Sequence, residues 1–136
     1  MSSLHAALID LWENEPALVA LMPAEQVYTG RIPVGVAMPC ASIDQPSMSG
    51  RMRSNDADYA DVSLRLSVWS ETYAAGQAIA DAIERALSNR TLDYDDCRVL
   101  DFRHESTSSE REEEPDPRAW RFVIQFSALR IRARTH

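Results

Sequence analysis

YADVSLRLSVWSETYAAGQAIADAIERALS, residues 59–88, carries two hydrophobic periods with hardly a residue between them. From Tyr59 to Trp69 the period is two. Val62, Leu64, Leu66 and Val68 alternate with Ser63, Arg65, Ser67 and Trp69. Successive side chains of a strand point to opposite faces, so this is a strand with one apolar and one polar face, as in an antiparallel sheet. From Thr72 to Ser88 the period changes. Ile79, Ile83 and Leu87 stand four apart and stack on one side of a helix. Ser70 or Thr72 can cap that helix, and Asn89 can end it in a left-handed turn. Ala75, Ala78, Ala82 and Ala86 would let it approach a sheet closely.

Upstream, residues 3–13 predict a helix capped by Ser2 or Ser3, with Leu4, Ala7, Leu8, Leu11 and Trp12 as its apolar stripe. Asn14 and Pro16 end it, and Ala17 to Met22 predicts a short second helical turn stopped at Pro23. Val27-Tyr28 reads as a brief strand. Gly30, Pro33, Gly35 and Pro39 punctuate an irregular stretch before a strand from Cys40 to Gln45. Ser47 to Asp58 is rich in Ser, Arg, Asn and Asp and reads as a mobile loop.

Downstream, Cys97 to His104 predicts a strand, and the polar, acidic Glu105 to Pro117 a loop. Ala119 to Ile131 predicts a long strand with Trp120, Phe122, Ile124, Phe126 and Ala128 on one face. Leu129 and Ile131 fall on the other face, so a bulge near Ala128 or burial of both faces is expected. The elements alternate helix, strands, helix, strands, with one strand–helix–strand crossover. This predicts an α+β fold: a mainly antiparallel sheet of about four strands with helices packed on one face, as a single domain over residues 1–136.

The composition narrows the functional classes. The formal charge is −7, which argues against a sequence-reading nucleic-acid binder with a basic face. The longest apolar stretch, Val34 to Ala41, contains Gly35 and Pro39, whereas a membrane span needs roughly 20 apolar residues. Met-Ser-Ser-Leu-His at the start predicts no signal peptide and hence synthesis in the cytoplasm. Cys40 and Cys97 form no CxxC pair. They read as small buried hydrophobes, with a disulfide or a reactive thiol as the alternatives. Every basic residue is arginine, from coding bias or because the guanidinium fork suits protein interfaces.

Motifs for catalysis are missing. There is no GxSxG, HExxH, GxGxxG or Walker loop, and four glycines leave little for a phosphate cradle. His5, His104 and His136 are scattered and read as solvated. No catalytic residue, metal ligand or cofactor is therefore assigned.

Charge and aromatic residues supply the candidate interface instead. Asp101 to Pro117 holds seven acidic and two basic residues, a net of −5, with Glu110, Glu112, Glu113 and Glu114 at its centre. Adjacent carboxylates in a proline-flanked run do not hold the separated environments of an acid–base pair. Arg118, Arg121, Arg130, Arg132 and Arg134 follow with no acid among them. Acid before arginine suits an interface in which one copy meets the next, and Arg130 and Arg132 are the candidates on the basic side. Trp69, on the polar face of its strand, reads either as packed beneath the following helix or as an interface residue. Arg51 and Arg53, with Asp56 and Asp58, form the remaining polar cluster, and would line the site if the chain were a small enzyme or ligand-binding domain.

LHAALIDLWENEPALVALM (residues 4–22), VYTGRIPVGVAMPCASID (27–44), VWSETYAAGQAIADAIERAL (68–87) and RAWRFVIQFSALRIR (118–132) occur in an order that resembles the phage tail terminator, or tail completion, family of siphophages and prophages. The resemblance covers roughly residues 4 to 132 and rests on structural patterns. It implies a homo-oligomeric ring, typically of six copies, on the head-proximal end of the tail tube. That ring would stop tube growth and bind head or neck proteins. The resemblance further implies a virion part assembled in the host cytoplasm, with DNA passing through the lumen and no membrane contact. The excess of acid agrees with a lumen that repels phosphates. Another neck or head–tail joining protein of related fold is the alternative.

Overall fold

The computed structural model describes residues 3–33, 35–44, 46–53, 57–95, 97–111 and 119–133, with the backbone alone for Arg51, Arg53 and Ala133. Helix α1 spans Leu4–Glu13 and α2 Pro16–Leu21; a 3₁₀ turn follows at Ala24–Gln26. The strands are β1 (Val27–Thr29), β2 (Cys40–Ile43), β3 (Ser47–Arg53), β4 (Ala57–Ser70), β5 (Leu92–Tyr94), β6 (Cys97–Arg111) and β7 (Trp120–Ala133). Helix α3, Tyr73–Leu87, joins β4 to β5.

The helices form where the periods predict them. The Ser3 hydroxyl accepts from the Ala6 amide, and the Thr72 hydroxyl from the Ala75 amide, so each long helix starts on a satisfied donor. Asn89 ends α3 at a φ of 61°. Trp12 is anchored by its indole N–H, which donates to the Met22 carbonyl at 2.8 Å inside the core. That bond ties α1 to the end of α2 and satisfies the one polar atom of a buried ring.

The sheet corrects the expected fold. In place of about four antiparallel strands with helices on one face, the chain builds a curled, mixed sheet of seven strands. Its order is β1-β2-β4-β7-β6-β5, and β3 also pairs with β4. β1 runs parallel to β2, which the irregular connection at residues 30–39 permits, and the other pairs are antiparallel. The physical reason lies in the strands that were not foreseen as such. β5 has three residues, too few to show a period, whereas β1, equally short, was expected at Val27-Tyr28. β3 and the far half of β6 are mostly polar and are held largely by ladder hydrogen bonds, with Met48 of β3 packing against the core.

Two loops of the sequence reading are therefore strands. Ser47–Arg53 is β3, and Ala57 and Asp58 already belong to β4. Glu105 to Arg111 continues β6, so the expected loop is strand up to Arg111. β2 and β3 lie end to end along one edge of β4: Cys40–Ile43 pair with residues 66–69, and Ser47–Arg53 with residues 58–63.

β4 and β7 pair without interruption from Ala57↔Ala133 to Ser70↔Trp120. The irregularity expected near Ala128 exists, but in the neighbouring strand. β6 inserts one extra residue between Leu100 and Arg103, opposite Ala128, and another between His104 and Ser106. Asp101 takes a φ of 62° at the first bulge.

Helix α3 lies over β4, β7 and β6 and closes the core with Ile79, Ile83 and Leu87 against Phe122, Ile124, Phe126, Leu64 and Leu66. Of the alanines that the sequence suggested, Ala82 and Ala86 are buried, and a glycine makes the closest approach to the sheet. A Cβ on Gly76 would stand 2.2 Å from the Phe122 ring. Ala75 is exposed and Ala78 only partly buried.

Candidate assembly surface

Directly opposed residues in neighbouring antiparallel strands share a face, so the register sorts every side chain. The core face receives Val62, Leu64, Leu66 and Val68 from β4 and Phe122, Ile124, Phe126 and Ala128 from β7. The other face is a layered surface of cross-strand rows, and the candidate residues fall on it unevenly.

One row runs Cys40–Trp69–Arg121–Glu110 across β2, β4, β7 and β6. The Arg121 guanidinium lies over the Trp69 ring, 5.5 Å from its centroid. The same group reaches Glu110 at 3.6 Å and the Ser67 hydroxyl at 3.4 Å. Trp69 therefore packs beneath no helix: it stands half-buried on the face away from the core, and a cation covers it. The sequence placed Trp69 and Glu110 among the candidates, and the fold joins them through Arg121. That residue had been counted only among the arginines of the C-terminal stretch. The signal was the alternation of β7, which sends Arg121 to the face opposite Phe122.

Below this row the face is hydroxyl-rich. Ser42, Ser67 and Ser108 share the Val123 row, and Ser47, Ser63 and Ser127 share the Arg103 row. The Ser127 hydroxyl donates to the Glu105 carboxylate, and Arg65 pairs with Asp44 at 3.4 Å. At the far end apolar residues join the face: Leu100 and Leu129 lie side by side in the row of Asp61, next to a row of Met52, Tyr59 and Ile131 that Arg98 flanks. Met52 is 69% exposed, which a core residue would not be. The sequence reading missed this patch because β3 read as a loop.

The remaining candidates separate. Arg130 falls on the core side of β7, between Ala60 and Val99, both buried, and it contacts Tyr94. Burial, reinforced by Cys97, raises the Tyr94 hydroxyl above its usual range, and the Arg130 charge opposes that rise. Arg132 is exposed in the Asp58 and Cys97 row. Arg51 and Arg53 lie on β3, with Arg53 in register with Asp58. Asp56, Glu112, Glu113, Glu114, Arg118, Arg134 and His136 lie outside the described residues.

Neither cysteine is in a disulfide; Cys40 is buried, and that burial pushes its thiol up, while Cys97 is half-buried. His104 is not simply solvated. Its ring stands edge-on to Phe126 at 5.6 Å and reaches Glu84 on α3 at 3.4 Å. Among the described residues no three His, Cys, Asp or Glu side chains gather as a metal site would require. No helix among them is long and apolar enough to cross a membrane. A groove of about 580 Å³ runs between α2 and α3 over Leu21, Ala78 and Ala82, rimmed by Glu15, Asp81 and Arg85.

Comparison with known proteins identifies a family and relatives of the fold. Residues 6–130 match the family described as Tail completion protein gp17. The fold is similar to that of a chain in the virion of a native gene transfer agent particle, with a TM-score of 0.79 and 21% identity over 96% of this chain and 95% of that one. No curated protein matches the chain in sequence.

Proposed function

This chain belongs to the Tail completion protein gp17 family, and from that premise we propose that it ends the tail as a closed ring of copies on the head-proximal end of the tail tube. The family makes it a structural protein of the virion, with its place in the tail and neck among other tail and head proteins. The finer reading is that the ring stops tube growth and offers its far side to the head. It works by binding surfaces and not by catalysis. Its copies pass DNA through a lumen without sequence-specific contact, in keeping with a net charge of −7.

One observation carries the reading: apart from the first residues of α1 and the last of β7, the family match spans the helices and the whole sheet. Tail completion is therefore the property of the whole fold. The test is sedimentation of the purified chain alone and with assembled tail tubes, followed by electron microscopy of the tube ends. The expected result is a ring seated on one end of each tube, and tubes of uncontrolled length when the chain is withheld. A chain that stays monomeric in both conditions and leaves tube length unchanged overturns the proposal.

A further inference from the structure

The far half of β6 is an edge of the sheet. β5 covers only Cys97–Val99, so residues 103–110 pair with β7 on one side and, among the described residues, with no strand on the other. His104 is half-buried there, and the other residues of the stretch are exposed. An unpaired edge presents a row of amide and carbonyl groups that water or another strand must satisfy. Charges on an edge ordinarily deter a second strand, because the newcomer meets them with a like charge or with none. Here they stand apart. Arg103 lies at one end and Glu110 at the other, and Ser106 to Ser109 between them is uncharged. Glu105 accepts a hydrogen bond from Ser127 of its own chain.

The bulge sets the spacing of those charges. β7 gives each residue a level: Arg103 stands opposite Ser127, His104 opposite Phe126, Ser106 opposite Gln125 and Thr107 opposite Ile124. Ser108, Ser109 and Glu110 follow opposite Val123, Phe122 and Arg121. Glu105 is the extra residue between His104 and Ser106. Thr107 therefore holds the middle level, with Arg103 and Glu110 equally far to either side. A two-fold axis perpendicular to the sheet at that level turns the strand end for end, lays it antiparallel beside itself and keeps every side chain on its own face. Ser106 then meets Ser108 of the second copy, His104 meets Ser109, and Arg103 meets Glu110, each contact occurring twice. Arg103 and Glu110 both lie on the face away from the core, so the opposite charges share a face. Glu110 keeps its own contact with Arg121, and its side chain, 63% exposed, has room for a second guanidinium. Centring the pair on Ser106 sets Arg103 against Ser108, and centring it on Ser108 sets Glu110 against Ser106. The charges thus select one register.

We propose that residues 103–110 of β6 pair with the same residues of a second copy, antiparallel and centred on Thr107, so that the free chain is a two-fold dimer with this edge covered. A two-fold contact uses the same surface on both copies and admits no third. The inference therefore does not rest on the ring reading above, and its test needs no tail tubes.

The experiment is sedimentation of the full chain over a range of concentrations, and a monomer–dimer equilibrium is expected. Arg103→Glu and Glu110→Arg each set two like pairs across the joint, and each is expected to weaken the dimer by at least about tenfold. Mixed in equal amounts, the two variants form a heterodimer in which both pairs are again opposite, and its affinity is expected to return to within about threefold of the parent. Thr107→Cys is the second measurement and does not depend on the charges. It puts one exposed cysteine of each copy at the axis, and mild oxidation is expected to link two copies and no more. The parent chain, which keeps Cys40 and Cys97, is the control and is expected to stay unlinked. A parent chain that is monomeric at every concentration overturns the inference. So does a dimer that neither charge reversal weakens, a mixture that does not recover, or a Thr107→Cys product that fails to form or runs beyond two copies. Should a reversed variant fail to fold, the Thr107→Cys product decides.

Discussion

The two halves of β6 are one strand under two regimes. From Cys97 to Phe102 it is built by its side chains: Val99 and Phe102 are fully buried, and β5 and β7 flank it. From Arg103 to Arg111 the same backbone runs on with almost nothing buried. There the strand exists because β7 offers a ladder of amides and carbonyls, and a chain of Ser and Thr gives it no reason to leave. The difference teaches that a strand can be written in side chains or borrowed from a neighbour, and that only the first kind leaves a hydrophobic period in the sequence.

The contrast can be broken by truncating one residue in each half. Phe102→Ala removes a fully buried ring that stands edge-on to Phe126, and the expected loss is about 3–5 kcal/mol in a denaturant melt. Ser108→Ala in the exposed half is expected to change stability by less than about 0.5 kcal/mol. Comparable losses from the two would mean that the far half is also held by its side chains.

Glycine probes sharpen it. Gly76→Ala drives a methyl into Phe122 where α3 covers the sheet, and a loss of about 1–3 kcal/mol in thermal unfolding is expected. A wild-type melting temperature would show that the helix can lift without cost. The boundary between the halves is tested at Asp101, whose φ of 62° suits Asp or Gly and disfavours a β-branched residue. Asp101→Val is expected to cost about 1–2 kcal/mol, and Asp101→Gly close to nothing. Equal melts for these two variants would show that the bulge does not depend on that conformation.

A small effect is also expected at the outer end. Glu110→Gln removes one partner of an exposed pair with Arg121, and the change should be well under about 1 kcal/mol and should vanish as salt is raised. A larger, salt-insensitive loss would show that the Trp69–Arg121–Glu110 row supports the fold itself.

The legibility of this fold follows the same division. Both long helices, the alternation of β4 and the buried face of β7 could be read because Ile79, Ile83, Leu64 and Phe122 bury fully and therefore recur at fixed spacing. β6 hid its length because its inward parity changes twice. Val99 faces in, then Phe102 and His104 after the first bulge, then Thr107 after the second. No single period survives that. β3 hid because Gly50, at a φ of 61°, bulges it between Ser49 and Met52, and because Ser47, Ser49 and Met52 stay exposed. Of the candidate surface, Trp69 and Glu110 were visible as unusual residues. The Arg121 that joins them was not, since cross-strand neighbours depend on register, and register is fixed by the hydrophobic faces of two distant segments. Arg130 is half-buried beside Tyr94, a contact that depends on the same register and was not legible in the sequence.

The uninterrupted ladder between β4 and β7 has a mechanical meaning. Its fourteen opposed pairs contain no bulge. A force that enters along β4 at the Ala57 end and leaves along β7 at the Trp120 end pulls the two strands past each other, and it loads every rung at once. The same force applied to Ala57 and Ala133, which sit at one end, would peel the rungs singly. A subunit whose strands lie along the direction of tension therefore behaves as a stiff strut, whereas one loaded across its strands opens like a zip.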